Sequence, residues 1–183
     1  MADEGDILTD LGMDPVAGGN GAGNGADTQP TAGIISQYIK DLSVENPNAP
    51  QSFQWQGQPQ VDVQFNIGAD QVSDEVHEVE LKVNATAKHD NGTIYLVELS
   101  YCGLIGLRNM PEDQGHMFLF AEAPRLLFPF ARAVIADAVR DAGFPPLVLD
   151  PIDFGGLYMQ RLAEKEREEA AAGGAPAAPT GDA

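Results

Sequence analysis

Val76-His77-Glu78-Val79-Glu80-Leu81-Lys82-Val83-Asn84-Ala85-Thr86-Ala87 alternates without a break. His77, Val79, Leu81, Val83 and Ala85 fall on one side, and Glu78, Glu80, Lys82 and Asn84 on the other. That period of two is the mark of a half-buried strand. Asp90-Asn91-Gly92 follows, a hairpin signal because Asn and Gly accept positive φ. Ile94 to Tyr101 then alternates again, with Tyr95, Val97, Leu99 and Tyr101 opposite Ile94, Leu96, Glu98 and Ser100. Two strands and a tight turn make an antiparallel hairpin, and the rest of the fold is read outward from it.

Upstream lie two more strand-like runs. In Ile35–Val44, Tyr38, Lys40, Leu42 and Val44 share one face, and Ile39, Asp41, Ser43 and Glu45 the other. In Val61–Ile67, Val61, Val63, Phe65 and Ile67 point one way. Between these runs, residues 46–59 carry three prolines, Phe53 and Trp55. A connection that long is a functional loop or a crossover to a non-adjacent strand. Downstream the period changes. Asn109 is a candidate cap for a helix ending near Ala123, ahead of Pro124. A second helix is expected from Arg125 or Leu126, with Pro129 in its first turn and Gly143 as its stop. Its apolar stripe is Leu127, Phe130, Ala131, Val134, Ile135, Ala138 and Val139. A third runs from the N-cap Asp153 to Glu169. Strands followed by helices predict an α+β domain, a four-stranded antiparallel sheet with helices on one face. The other face must meet solvent or a partner. It is expected to carry Asp41, Glu45, Glu78, Glu80 and Glu98, with Ile39, Ile94 and Leu96 among them.

The chain has 183 residues, 28 of them acidic and 10 basic, for a formal net charge of −18. Residues 1–33 read as a disordered acidic, Gly-rich extension, 34–169 as the folded domain and 170–183 as a disordered Ala/Pro/Gly-rich tail. Within the extension, Ile7, Leu8 and Leu11 are taken as incidental apolar residues. Residues 31–162 hold 17 acids and 8 bases, so the folded part is acidic in its own right. Such charge repels phosphate and disfavours nucleic acid and anionic lipid, while it steers a basic partner inward. No run approaches the roughly 18 apolar residues of a membrane span, and no secretory signal is evident. A lone cysteine, Cys102, fits a reducing cytoplasm.

No catalytic signature emerges. His77, His89 and His116 have no metal-ligand spacing, and no phosphate loop or nucleophile elbow is found. His77 reads as a core histidine, His89 as solvated, Cys102 as a small buried residue, and Gly103-Leu104-Ile105-Gly106 as a loop. No metal, no cofactor and no enzyme activity are expected.

Four stretches, in order, carry a resemblance. They are Tyr38–Pro50, Asp74–Leu81, Leu126–Arg132, and Gly143–Leu147 running on to Pro151–Phe154. Together they resemble SecB, the bacterial protein-export chaperone family, over roughly 34–162. The resemblance implies a homotetramer built as a dimer of dimers. It also implies the holding of unfolded secretory precursors and their delivery to the ATPase SecA. It places Asp41, Glu45, Leu96 and Glu98 at positions that bind the basic C-terminal region of SecA. The client groove it implies is formed by the long loop, the strand after it and the last helix. Here these supply Phe53, Trp55, Val61, Val63, Phe65, Phe154, Leu157 and Tyr158, with Leu162. The family's loop tryptophan falls slightly later, where Gly57 stands in this chain. The helix after Pro124 is more apolar than one sheet face needs, so Leu127, Val134, Ile135 and Val139 are expected at the tetramer interface. Two alternatives stay open: a SecB-like chaperone dedicated to one client such as an antitoxin, and an acidic scaffold for a folded basic partner.

Overall fold

The computed structural model describes residues 28–173. The extension and tail expected from sequence lie outside it, except that the first strand already starts at Thr31 and the last helix continues to Gly173. The strands are β1 (Thr31–Glu45), β2 (Gln60–Ser73), β3 (Val76–His89) and β4 (Gly92–Arg108). They form one antiparallel sheet in the order β1-β4-β3-β2. The 46–59 connection is therefore a crossover from one edge to the other.

The β3–β4 hairpin forms as its alternation dictates. Leu81 faces Tyr101, Val83 faces Leu99 and Ala85 faces Val97. These pairs point to the inner side, and all six residues are buried there. Gly92 alone carries the positive φ of the turn, at 139°. The stretch Gly103–Gly106, expected as a loop, is instead part of β4, near its C-terminal end. Gly103 is needed there without a side chain: a Cβ at this position meets Leu127 Cδ2 at 2.9 Å. The glycine lets a helix settle close to the sheet.

The register of β1 slips by one residue between Ile39 and Asp41. This bulge at Lys40 corrects the face assignment. Ile39 pairs with Tyr101 and joins Leu42 and Val44 on the inner side, whereas Tyr38, Asp41, Ser43 and Glu45 share the outer side. A second slip between Ile34 and Ser36 frees Ile35.

Helix α1 (Glu112–Met117) runs through a π-helical turn (Phe118–Glu122) straight into α2 (Ala123–Asp141). The expected break before Pro124 does not occur. Pro124 sits in the first turn of α2, where a missing N–H is harmless, and the π turn absorbs the irregularity. Pro129 lies inside α2, not in its first turn. It and Arg125, whose carbonyl it leaves without a helical donor, both face solvent. Asn109 is not the cap either; it has φ 52° and donates from Nδ2 to the Gln29 carbonyl at 3.4 Å. Gly143 does end α2, with φ 94° and a Phe144 N–H to Val139 carbonyl bond of 3.2 Å. Asp153 does cap α3 (Phe154–Gly173), accepting from Gly156 N at 2.9 Å. Among the described residues no helix is long and apolar enough to cross a membrane.

Helix α2 lies over the inner faces of β3 and β4. Leu127, Ile135 and Val139 are 0% exposed within the single subunit. That removes them from the expected tetramer interface, because a side chain with no accessible surface has nothing to offer a neighbour. Val134 is half-buried. The surface that α2 leaves open is carried by Leu126 and Phe130, 37% and 48% exposed.

Candidate functional site

Two surfaces stand out, one on each side of the sheet. On the inner side, β2 is the far edge and α2 does not cover it. Val61, Val63, Phe65 and Ile67 pair with Ala87, Ala85, Val83 and Leu81, so all four face inward in a row. Phe65 packs edge-on against Phe128, centroids 6.0 Å apart, and Phe128 in turn against Phe154 at 5.6 Å. Phe154, 2% exposed, roots the first turn of α3 in the core. The rest of α3 then stands off the sheet and leaves a groove of about 240 Å³. Phe65 and Ile67 of β2 and Leu157, Tyr158 and Leu162 of α3 line it, together with His116 and Phe120.

Of the residues expected there from sequence, Phe65, Phe154, Leu157 and Tyr158 come together. Phe53 and Trp55 do not join them. Phe53 stacks on Phe144 at 5.1 Å, and Phe144 lies 5.4 Å from Tyr95. Trp55 stacks on His89 at 5.4 Å. His89 is thus no idle solvated residue. Its Nδ1 accepts from Asn91 N at 3.2 Å and its Nε2 donates to the Gln56 carbonyl at 2.9 Å, which pins the long loop to the hairpin. Val61 and Val63 lie between these two stations along β2. Sequence reading missed His116 and Phe120. They are one helical turn apart and stack at 4.6 Å, and His116 Nδ1 sits 2.9 Å from the Tyr158 hydroxyl. The i, i+4 spacing was the available signal. His77, expected in the core, is half-buried with an unpartnered Nδ1.

On the outer side, Glu45 lies opposite Leu96, Ser43 opposite Glu98 and Asp41 opposite Ser100. The four residues expected to form a basic-partner site therefore share one face. Neighbouring acids are already engaged. Glu78 takes Lys40 Nζ at 2.6 Å and the Tyr38 hydroxyl. Those two bonds hold its carboxyl below the usual range, and the bond to Glu78 pushes the Tyr38 phenol up to about 12. Glu80 takes the Ser100 hydroxyl and, at 3.4 Å, Lys82. Asp41, Glu45 and Glu98 have no ion-pair partner among the described residues. Asp41 and Glu98 border one shallow depression. Cys102 lies beneath this network fully buried, and burial, with Glu78 and Glu80 nearby, pushes its thiol up to about 11. It is not a nucleophile at neutral pH.

The family model described as preprotein translocase subunit SecB matches residues 25–165. Protein-export protein SecB of Erythrobacter litoralis is 67% identical over 183 residues, all of both chains. The protein of that name from Novosphingobium aromaticivorans is 59% identical over all of both chains, and that of Bradyrhizobium diazoefficiens 49% over 85% of this chain and 95% of its own. Among solved structures, a SecB-like chaperone of Mycobacterium tuberculosis in complex with an antitoxin peptide superposes with a TM-score of 0.55. It does so at 15% identity over 66% of this chain and 90% of its own, so the likeness is one of fold.

Proposed function

The chain belongs to the SecB family of protein-export chaperones, and we propose that it holds unfolded secretory precursors in the cytoplasm and passes them to SecA. The observation that carries this reading is the groove between β2 and α3. Its walls are aromatic and aliphatic, and the inner row of β2 extends it towards Trp55. A chain of any sequence can lay apolar side chains there while an edge strand offers unpaired backbone groups. The relatives named for protein export favour this over a dedicated client, and the groove itself favours it over a bare acidic scaffold.

Two further parts of the reading concern partners. The free acids Asp41, Glu45 and Glu98 around Leu96 suit a basic, partly apolar peptide such as the SecA C-terminal region. Assembly into a dimer of dimers is supported by β1, a long edge strand whose inner-side Ile39, Leu42 and Val44 are exposed. Such an edge invites pairing with a second copy. The open side of α2, with Leu126 and Phe130, supplies a second contact.

The test is native mass spectrometry with a reduced, unfolded precursor and its folded form as control. A mass near four chains that gains one unfolded polypeptide and ignores the folded form is expected. Tyr158→Ala should keep the assembly and weaken precursor binding about tenfold, as expected for a buried aromatic anchor. Undiminished binding in that variant overturns the groove.

A further inference from the structure

The groove is an exception to the charge of the molecule. In a chain of 28 acids and 10 bases, its lining holds Arg161 and Lys165 and not one acid. Among the described residues Arg161 has no ion-pair partner, and Lys165 has only Glu169, at 3.9 Å. An apolar trough with a cationic end fits an occupant that is apolar and anionic. The sequence contains one. Asp6-Ile7-Leu8-Thr9-Asp10-Leu11-Gly12-Met13-Asp14 sets Ile7, Leu8 and Leu11 at helical spacing, with acids at i, i+4 and i+8 and no base.

The place where the described chain begins brings the two together. Thr28 is the first described residue, and the next, Gln29, is bonded to Asn109. Asn109 and His116 line one depression, and His116 also lines the groove. Asn109–Pro111 precede α1, so at most about 10 Å of non-helical chain and then about 6 Å of helical rise lead from Asn109 to His116, and roughly 10–20 Å separates the start of the described chain from the groove. Residues 15–27 would bridge it. Thirteen residues reach at most about 45 Å. The gap therefore lies within the reach of the intervening chain.

We propose that residues 6–14 occupy the groove of their own chain as a tethered pseudo-client, with Asp10 and Asp14 towards Arg161 and Lys165. The competitive consequence rests on the groove being the precursor site; the docking itself does not. The segment then sets a threshold. Weakly apolar or folded chains cannot displace it, and long unfolded ones can.

The experiment uses the full chain and the variant Ile7→Ser, Leu8→Ser, Leu11→Ser. In isotope-labelled wild type, NMR contacts between the Ile7 methyl and the Phe120 or Tyr158 ring are expected, and the variant or Arg161→Glu with Lys165→Glu should abolish them. An effective concentration of roughly 1–5 mM against an intrinsic affinity near 0.5 mM predicts precursor binding about 3- to 10-fold tighter in the triple variant. Precursor bound at Tyr158 with no segment contact and no tightening overturns the proposal and leaves the export reading intact. Segment contact without any precursor binding supports the docking and removes the client reading instead. Contacts seen only between differently labelled chains place the segment in a second copy and overturn the in-chain form.

Discussion

The two sides of this sheet are made from the same four strands and obey opposite rules. The inner side is apolar almost throughout: Val79, Leu81, Val83 and Val97 have no exposed surface beneath α2. The outer side is a ladder of Tyr38, Glu78, Glu80, Lys82 and Glu98, open to water. One side is determined by burial, so a single residue placed wrongly on it costs several kcal/mol. The other is constrained mainly by charge; it takes a bulged residue, Lys40, and leaves Asp41, Glu45 and Glu98 without ion-pair partners among the described residues. The buried side and the charged side are thus separated by the thickness of one sheet, and substitutions on the two should fail differently.

The largest effect comes from confusing two faces of α2. Leu127→Asp places a carboxylate in the core, and the subunit should be destabilised by more than about 4 kcal/mol, enough to unfold a marginally stable domain. Phe130→Asp, three residues along, should leave circular dichroism unchanged while native mass spectrometry reports a smaller assembly. A folded Leu127→Asp tetramer would erase the distinction between the faces. Next in size is Gly103→Val. Its new side chain meets Leu127, itself boxed in by the core, and overpacking of this kind costs about 1–3 kcal/mol in urea unfolding. No loss there would mean that α2 rides higher on the sheet than described.

This contrast also explains what was legible in the sequence. The β3–β4 hairpin could be read directly because burial enforces strict alternation in central strands. The bulge at Lys40 could not. Both faces of Ile35–Val44 mix apolar and polar residues, so either register satisfies the pattern, and the pairing of Ile39 with Tyr101 settles it only in three dimensions. Gly103 and Gly106 look like loop residues until a helix is seen pressing on one of them. On α2 the apolar stripe was visible, but its width hid which side was core; Leu127, Ile135 and Val139 and the exposed Phe130 differ by neighbours, not by type. The groove was half legible. Phe65 and the face of α3 followed from periodicity, whereas His116 and Phe120 came from a helix whose partner nothing local announced. Trp55 and Phe53 suited a groove by composition but stack on His89 at the hairpin turn and on Phe144 just past α2.

On the outer side the expected effects on stability are small and those on binding are not. Asp41→Lys with Glu98→Lys should alter unfolding free energy by no more than about 0.5 kcal/mol, as for other surface changes. Association with a basic, SecA-like C-terminal peptide should fall about tenfold or more, and its dependence on salt should flatten. A loss of fold stability comparable to Gly103→Val would show that this side, too, is structural.

The smallest effect is the most diagnostic of what holds the outer ladder together. Glu78 accepts from Lys40 and Tyr38, so its carboxyl titrates below the ordinary value of 4.5. A folded-state value below the unfolded one stabilises the fold above about pH 4.5 and is lost as pH falls through the folded value. Tyr38 acts at the opposite end: raised from 10.0 to about 12, it favours the fold below pH 10 and loses that contribution between pH 10 and 12. Glu78→Gln should therefore lower the urea midpoint slightly at neutral pH, converge with wild type in acid, and return the Tyr38 phenol towards 10 in an ultraviolet titration. Because both partners lie near water, the midpoint shift should be small, whereas the phenol shift is large enough to read. If the phenol stays near 12 without Glu78, the ladder is held by burial after all, and the two sides of the sheet are less different than their residues imply.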